Sequence, residues 1–433
     1  MDGERRGRRA GNRHLPSPPV LAHSQGMMAP VSSSFTDKWQ SIALIVLAQI
    51  LALSVWFSGT AALPAILDAH ALGAGKQAAL TSAVQAGFVL AALLSAIFSL
   101  PDRFDPRRLF AGGAVLAAAS NVIALNLAPD SWAMVVSRFA AGSALALVYP
   151  VGMKLAASWA KGDAGLLVGL LVGALTLGSA SPFLLSITGN SSDWQTPIRL
   201  AAIGAGLAAI TILFARGGPG LRPAAKFDPG AVLLAVRDPA LRLTNLGYLG
   251  HMWELYAMWA WIGAFSHAYW QVRGGGAHLA DLTAFLVIGS GALACILAGG
   301  LADRYGRTRV TAAAMAISGS CALLAGFAFN APPWILLPIL VIWGLSIIAD
   351  SAQFSTAITE LAPPERAGTL LTIQTALGFS LTIIMVQVLP SWIAFAGWNW
   401  AFAPLAIGPF LGVWAMLTLR KRPEAARLAG GRG

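Results

Sequence analysis

Four ionisable side chains lie inside long apolar stretches of the sequence, where an unpaired charge would be costly. One is Arg138, and the other three are His251, Glu254 and Asp350. His251 and Glu254 are three residues apart, so they share one face of a helix. A carboxyl group can take up and release a proton, and a nearby imidazole can relay it. We therefore predict that these three residues carry proton coupling, with structural hydrogen bonds between helices as the alternative.

The two acids fall near the middle of their apolar stretches. Glu254 lies twelve residues after Arg242, which is about 18 Å along a helix. Asp350 lies ten residues before Glu360, or about 15 Å. The apolar core of a bilayer is roughly 30 Å thick, and transported solutes bind near its middle. Both depths are those expected of a functional site.

Other polar residues could line a cavity between the apolar stretches. Arg138 could bind an anionic group, pair with an acid or serve a structural role. Asp350 begins a polar run, and the residue 201 positions earlier is Tyr149. The predicted lining of the substrate cavity is Arg138, Tyr149, Asp350, Gln353, Gln49, Trp56 and Gln374.

The composition requires a membrane protein. Of the 433 residues, 57% are hydrophobic and 11% are charged, and the mean hydropathy is +0.68, whereas soluble chains are about one quarter charged. Apolar stretches long enough to cross a bilayer recur throughout. We predict an all-α membrane protein with twelve spans, at residues 41–66, 78–100, 109–128, 132–157, 164–187, 196–215, 245–270, 281–301, 309–329, 334–358, 368–389 and 397–419.

Basic residues alternate between the gaps that separate the spans. If the amino terminus is cytoplasmic, 25 of the 29 Lys and Arg face the cytoplasm, as the positive-inside rule requires. We predict a bacterial inner (plasma) membrane protein with both termini cytoplasmic. The net charge of +11 is spread over these gaps and forms no stripe, so we expect no nucleic-acid partner.

The chain divides into two comparable halves. An Asp-Arg pair follows span 2 at Asp102-Arg103 and recurs 201 residues later, after span 8, at Asp303-Arg304. Such a repeat indicates a duplicated bundle. We predict five regions: a disordered basic tail (1–38), a six-helix bundle (39–216), a cytoplasmic linker (217–244), a second six-helix bundle (245–421) and a cytoplasmic tail (422–433).

The second copy of this loop resembles a motif of the major facilitator superfamily, G-x-x-x-D-R-x-G-R. The matching residues are Gly299, Asp303, Arg304, Gly306 and Arg307. The resemblance covers about residues 39–421, and it implies two pseudo-symmetric six-helix bundles that rock about a central cavity to give alternating access. It also implies that the loops gate this motion.

The first copy of the loop departs from the motif. It keeps Asp102, Arg103 and Arg107, but Phe98 and Asp105 stand where glycines belong. A gating role is therefore expected for both copies and is better supported for the second. In span 4, Arg138 and Gly142 resemble the family's R-x-x-x-G motif.

The resemblance implies a secondary transporter rather than an enzyme. Lys76 ends a Gly-Ala-Gly-Lys sequence that lacks the rest of a P-loop, so we expect a gradient and not ATP to drive transport. Spans 5 and 8 carry small residues at four-residue spacing, which indicates close packing of helices in lipid; the resemblance, which implies that these two spans meet between the bundles, is also compatible with a sliding contact. Span 1 resembles the nitrate and cyanate permease branch, although spans 2 and 8 lack the arginines of the nitrate members.

Several functions remain open. The first is proton-coupled transport of a small solute, with organic and inorganic anions among the candidates. The second is proton-driven efflux of amphipathic compounds, although the Gly-Pro pattern of antiporters in span 5 is matched only loosely. A non-transporting membrane sensor is the third. We expect a monomer in the lipid bilayer, with a small-molecule substrate and protons as partners. We expect no cofactor and no metal, and Cys295 and Cys321 to be free thiols.

Overall fold

The computed structural model describes residues 35–189, 193–221 and 228–433. Most of the predicted amino-terminal tail, residues 1–34, lies outside the described residues, as do residues 222–227 of the predicted linker. The described residues are helical and contain no strand. Ten of their helices are long and apolar enough to cross a membrane. Spans 3 and 7 fall outside that set, because span 3 is short and begins with arginines and span 7 carries several polar residues.

The first six spans follow the predicted order. Span 1 is Phe35–Ala69, span 2 is Ala74–Ile97 and span 3 is Pro106–Ala124. Span 4 consists of two segments, Trp132–Leu145 and Tyr149–Ala157. Span 5 is Ala164–Ser186 and span 6 is Gln195–Phe214. A short helix, Leu100–Arg103, lies between spans 2 and 3, and Ala231–Arg237 precedes span 7.

The last six spans repeat this arrangement. Span 7 is Pro239–Val272, span 8 is Gly276–Tyr305 and span 9 is Arg307–Phe327. Span 10 also consists of two segments, Pro333–Ala349 and Ser351–Leu361. Span 11 is Pro364–Ala396 and span 12 is Ile407–Arg420. Short 3-10 helices lie at Ala328–Asn330 after span 9, at Trp398–Trp400 and Ala403–Ala406 between spans 11 and 12, and within Pro423–Gly431 after span 12, where the backbone is not helical at residues 428–430.

The helix contacts of the two halves mirror each other. In the first half span 1 packs on spans 5 and 6, span 2 on span 4, and span 3 on span 6. In the second half span 7 packs on spans 11 and 12, span 8 on span 10, and span 9 on span 12. Between the halves, span 5 contacts span 8 and span 2 contacts span 11. The pairing has the pseudo-symmetry expected of two related six-helix bundles.

Glycines allow the closest of these helix contacts. A Cβ added to Gly142 in span 4 would collide with the backbone oxygen of Val84 in span 2, and one on Gly344 in span 10 would collide with that of Val287 in span 8. Between the halves, a Cβ on Gly169 in span 5 would lie 2.9 Å from the backbone oxygen of Cys295 in span 8. Small residues let helices approach in this way in lipid. The small-residue faces of spans 5 and 8 therefore meet, as predicted.

Candidate functional site

A cavity of about 450 Å³ lies between the two halves. Spans 2, 4, 5, 7, 10 and 11 form its walls, and Tyr149, Tyr248 and Tyr256 are among the lining residues. One end of the cavity lies at the helix ends that carry Asp102 and Thr369, on the predicted cytoplasmic side, and we call this end the mouth. The volume lies in the range of ligand pockets, roughly 300–1,000 Å³.

Four aromatic side chains close the opposite end of the cavity. Trp56, Phe88, Tyr256 and Phe379 come from spans 1, 2, 7 and 11 and are all buried. Ring centroids are 4.9 Å apart for Trp56 and Phe88, 4.8 Å for Phe88 and Phe379, and 4.9 Å for Tyr256 and Phe379. We call these four residues the aromatic layer. Because both halves contribute to it, relative motion of the halves would open it.

The described residues that line the cavity leave no charge unpaired in its interior. Among its lining residues Asp102 and Lys154 are charged, and they form an ion pair with each other at the mouth. Hydroxyl groups supply most of the remaining polarity, from Ser351, Ser355 and Thr375 in addition to the tyrosines. Such a wall suits an uncharged solute that offers apolar surface and hydrogen-bonding groups.

A buried histidine and aspartate lie directly behind this wall. Nδ1 of His251 in span 7 is 2.8 Å from Oδ1 of Asp350 in span 10, which is ion-pair distance, and the side chains are 1% and 2% exposed. Their chain neighbours Met252 and Ser351 line the cavity. The pair therefore ties span 7 to span 10 within one residue of the cavity surface.

Glu254 has different partners from His251. Its Oε2 accepts a hydrogen bond of 2.5 Å from Ser318 Oγ in span 9, and its Oε1 accepts one of 2.7 Å from Trp343 Nε1 in span 10. The side chain is buried and does not line the cavity. The structure thus brings two of the three predicted proton-coupling residues together and directs Glu254 toward spans 9 and 10.

Arg138 lies in the core of the first half and not on the cavity wall. Nη1 donates to Asn121 Oδ1 at 2.5 Å and Nη2 donates to the backbone oxygen of Val55 at 2.8 Å. The side chain is 0% exposed. These bonds join span 4 to spans 3 and 1, and two neutral acceptors hold the guanidinium away from the cavity.

The other predicted cavity residues are distributed between the wall and the helix contacts. Tyr149 lines the wall and Trp56 belongs to the aromatic layer. The three glutamines form hydrogen bonds to other helices. Gln49 Nε2 donates to the backbone oxygen of Tyr149, and Gln374 Nε2 donates to Asn245 Oδ1. Gln353 Oε1 accepts from Arg307. Their roles in solute binding stay predictions.

Two comparisons place this architecture among known proteins. The family model described as the Major Facilitator Superfamily matches residues 42–385 and 274–433. The chain belongs to the Major Facilitator Superfamily. Membership confirms the predicted family and fold class, and it makes this protein a multi-pass membrane transporter and not an enzyme.

Solved structures share the fold of this facilitator at low sequence identity. A D-xylose-proton symporter is 17% identical with a TM-score of 0.70, over 90% of this chain and 99% of that one. The nucleoside transporter NupG is 12% identical with a TM-score of 0.66, over 88% and 100%. The human organic anion transporter MFSD10 is 14% identical with a TM-score of 0.65, over 88% and 99%. At such identities the likeness establishes the fold alone.

The first loop of the facilitator contacts span 4. Asp102 forms an ion pair with Lys154, whose Nζ also donates to the Pro101 oxygen at 3.0 Å. Arg103 is exposed. Arg107 bonds to Asp105, with Nη2 to Oδ2 at 2.7 Å, and this hydrogen bond holds the pKa of the Asp105 carboxyl below its ordinary value.

The second loop contacts span 10 through a denser network. Arg307 donates to both carboxylate oxygens of Glu360 at 2.7 Å and also bonds to Asp303 at 3.1 Å. Gly306 adopts a left-handed φ of 97°. Gly299 lies opposite the span 5 backbone, and Arg304 is exposed. Each loop is thus fastened to the broken span of its own half.

Two wall residues were missed by the sequence analysis. Lys154 lies inside the predicted span 4 and Tyr248 inside the predicted span 7, and both line the cavity, but neither was among the predicted cavity residues. A lysine inside an apolar span could have indicated a role at the cavity mouth, and Tyr248 is one of several aromatic residues in its span. Neither sequence signal distinguishes a cavity wall from a helix contact.

Proposed function

We propose that this facilitator is a secondary active transporter that moves a small uncharged organic solute by alternating access and couples that movement to protons. The observation that carries the proposal is the cavity itself. Its body is uncharged and its closed end is an aromatic layer. The buried His251–Asp350 pair lies one residue behind its wall.

Proton coupling rests on the position of that pair. His251 Nδ1 and Asp350 Oδ1 lie 2.8 Å apart, so opposite charges on the two groups would attract each other strongly and a proton gained or lost by either would change that attraction. Because the pair bridges spans 7 and 10, its protonation state biases how these helices pack. Glu254 is a second candidate, because its carboxylate accepts both of its hydrogen bonds, and on protonation the bond with Ser318 would reverse, with the carboxyl as donor.

The solute class follows from the lining. Arg138 is bonded to Asn121 and Val55 and does not reach the cavity, which argues against recognition of an anion by this residue. Structural neighbours named for D-xylose–proton symport and for nucleoside transport support an uncharged, hydrogen-bonding solute with proton coupling. The human neighbour is named for organic anions, so an anionic solute is the first alternative to an uncharged one.

Efflux of amphipathic compounds is the second candidate. Met153, Met252 and several leucines line the cavity beside the aromatic layer. Flexible methionine side chains suit binding partners of varied shape. An efflux pump of this kind would accept a positively charged amphipathic probe, which the proposed carrier of uncharged solutes would not.

Orientation and organisation complete the proposal. We place both termini in the cytoplasm of a bacterial inner membrane, so that the cavity faces inward. The bundles are residues 39–216 and 245–421, with a cytoplasmic linker at 217–244 and a tail at 422–433. One contact of the described linker residues supports the cytoplasmic placement of the linker. Asp228 forms an ion pair with Arg366 at the start of span 11, which is an end of that span that we place in the cytoplasm. The working unit is a monomer in the bilayer.

Three probes with one apolar body test the solute class. The melting temperature of the purified protein in detergent is measured with benzyl alcohol, benzoate or benzyltrimethylammonium. A ligand that binds the folded state raises the melting temperature. Stabilisation by benzyl alcohol alone is expected. Stabilisation by benzoate alone would indicate an anion carrier instead. Stabilisation by benzyltrimethylammonium alone would indicate an efflux pump.

Proton coupling is tested in proteoliposomes that contain a pH indicator. Addition of benzyl alcohol should move protons with the wild type, and Asp350→Asn or Glu254→Gln should abolish that movement. The matched control is Asp281→Asn, which removes the negative charge from the contact with His267 at 2.9 Å between spans 7 and 8 and should leave proton movement unchanged. Normal proton movement in both Asp350→Asn and Glu254→Gln would refute the assignment.

A further inference from the structure

Gln85 in span 2 is a buried polar residue without a partner. It is 0% exposed, and neither Oε1 nor Nε2 has a hydrogen-bond partner among the described residues. The indole Nε1 of Trp56, in the aromatic layer, is likewise buried and unpartnered there. A buried amide that makes no hydrogen bond destabilises a protein relative to an apolar side chain of similar size. This conformation of the protein gains no stability from either group.

The position of Gln85 places it on the path between the halves. Ser82, Gln85 and Phe88 follow one another at three-residue spacing and so lie along one face of span 2. Ser82 Oγ accepts a hydrogen bond of 2.6 Å from Nε2 of Gln387 in span 11. We call this hydrogen bond the latch. Phe88 contacts Phe379 of span 11 in the aromatic layer. Gln85 therefore lies between the latch and the aromatic layer, beyond the closed end of the cavity.

Other buried glutamines show what a structural role looks like in this protein. Gln374 donates from Nε2 to Asn245 Oδ1 at 3.0 Å. Gln49 donates from Nε2 to the backbone oxygen of Tyr149 at 3.0 Å. Each holds two helices together. Gln85 makes no such bond in the part of the chain that the structure describes, so helix pairing does not account for it.

We propose that Gln85, together with the indole N–H of Trp56, forms a recognition site for an uncharged hydrogen-bonding group of the transported solute, such as a carboxamide or a hydroxyl. The amide oxygen of Gln85 accepts from the donor of the solute, while its Nε2 and Trp56 Nε1 donate to the acceptor. The site fills when the halves move and the aromatic layer parts. This inference rests on the proposed function and adds to it the residues that select the solute.

The test compares two probes that differ in a hydrogen-bond donor. Benzamide carries amide N–H groups and acetophenone does not. We expect benzamide to raise the melting temperature of the wild type more than acetophenone does. Gln85→Leu should abolish that preference while melting at or above the wild-type temperature without probe. Asn245→Leu, the matched control, should melt lower because it leaves the buried amide N–H of Gln374 without its acceptor, and it should keep the preference.

Three results would overturn the inference. They are a retained benzamide preference in Gln85→Leu, a melting temperature of that variant lowered as far as that of Asn245→Leu, and equal effects of both probes on the wild type. The proposed function has its own readout. If benzyl alcohol stabilises the wild type and the benzamide preference is absent, the recognition site fails and the uncharged solute class survives. If benzoate or the cation stabilises it instead, the solute class fails.

Discussion

Tyr149 and Asp350, 201 residues apart, stand at matching interruptions of two helices. Span 4 breaks between Leu145 and Tyr149, and span 10 breaks between Ala349 and Ser351. Irregular backbone at this depth is tolerated where it is covered by protein or lines a cavity. Tyr149 lines the cavity between the halves, and Asp350 pairs with His251 behind it. The duplicated scaffold thus presents a cavity wall in one half and an ion pair in the other.

This division predicts separate effects for the two positions. Tyr149→Phe keeps the ring and removes the hydroxyl at the wall. Loss of one hydrogen bond to the solute should weaken benzyl alcohol binding by roughly two- to tenfold. Proton movement per molecule transported should not change. Titration of the melting temperature against benzyl alcohol measures the first quantity, and the proteoliposome assay measures the second. A changed proton yield would show that the two halves do not divide the work in this way.

Arg138 should behave as a structural residue. Arg138→Met leaves Asn121 Oδ1 and the Val55 oxygen without their donor, at a cost of about 1–3 kcal/mol for each stranded group. The variant should melt well below the wild type. The order in which benzyl alcohol, benzoate and benzyltrimethylammonium raise its melting temperature should be unchanged. A variant that melts normally but has lost a stabilisation by benzoate would instead make Arg138 an anion-binding residue.

Gly142 should tolerate no side chain. The Cβ of Gly142→Ala would overlap the Val84 oxygen, and spans 2 and 4 would have to separate, which typically costs about 1–3 kcal/mol or more. Gly112→Ala in span 3 is the control, because nothing lies within 4 Å of a Cβ there and alanine favours helix by about 0.8–1.0 kcal/mol. The melting temperature should fall for Gly142→Ala and hold or rise for Gly112→Ala. Equal behaviour of the two would contradict the close contact.

Asp105 gives a prediction for pH. It caps span 3 by accepting from the Arg107 backbone N–H at 2.9 Å, and Arg107 lowers its pKa below the ordinary 3.8. Because the folded pKa is the lower one, the stabilisation is complete above the ordinary pKa and is lost as pH falls through the folded value. Asp105→Ala should cost about 1 kcal/mol at pH 7. The difference in melting temperature should shrink below about pH 4, and a constant difference would contradict the assignment.

The sequence was sufficient to predict the class of protein and its duplicated plan. Apolar length predicts spans, and the second loop alone carries five matched motif residues, so these two signals together were enough to infer the family. Span 10 was predicted as one helix at 334–358, because hydropathy averages over the break at Asp350. Span 12 was predicted from 397, but its α-helix begins at Ile407, since 3-10 turns occupy the preceding residues.

The geometry of the candidate site could be predicted only in part. Three-residue spacing correctly places His251 and Glu254 on one side of span 7, but spacing within a helix cannot identify the neighbouring helix that each side chain meets. His251 meets Asp350, and Glu254 meets Ser318 and Trp343. The sequence also could not predict which way the Arg138 side chain points. It donates to the side-chain amide of Asn121 and to the backbone oxygen of Val55, and no sequence pattern identifies either as its partner.

The latch between Ser82 and Gln387 also bears on how the resting protein divides its time between conformations. It is a single neutral hydrogen bond, and such a bond contributes only about 0.5–1.5 kcal/mol. Loss of that much changes a two-state population by roughly two- to tenfold. If the contacts of the aromatic layer are offset by new ones on the other side, the inward-facing and outward-facing forms are nearly isoenergetic. A modest electrochemical gradient would then be enough to decide which form prevails.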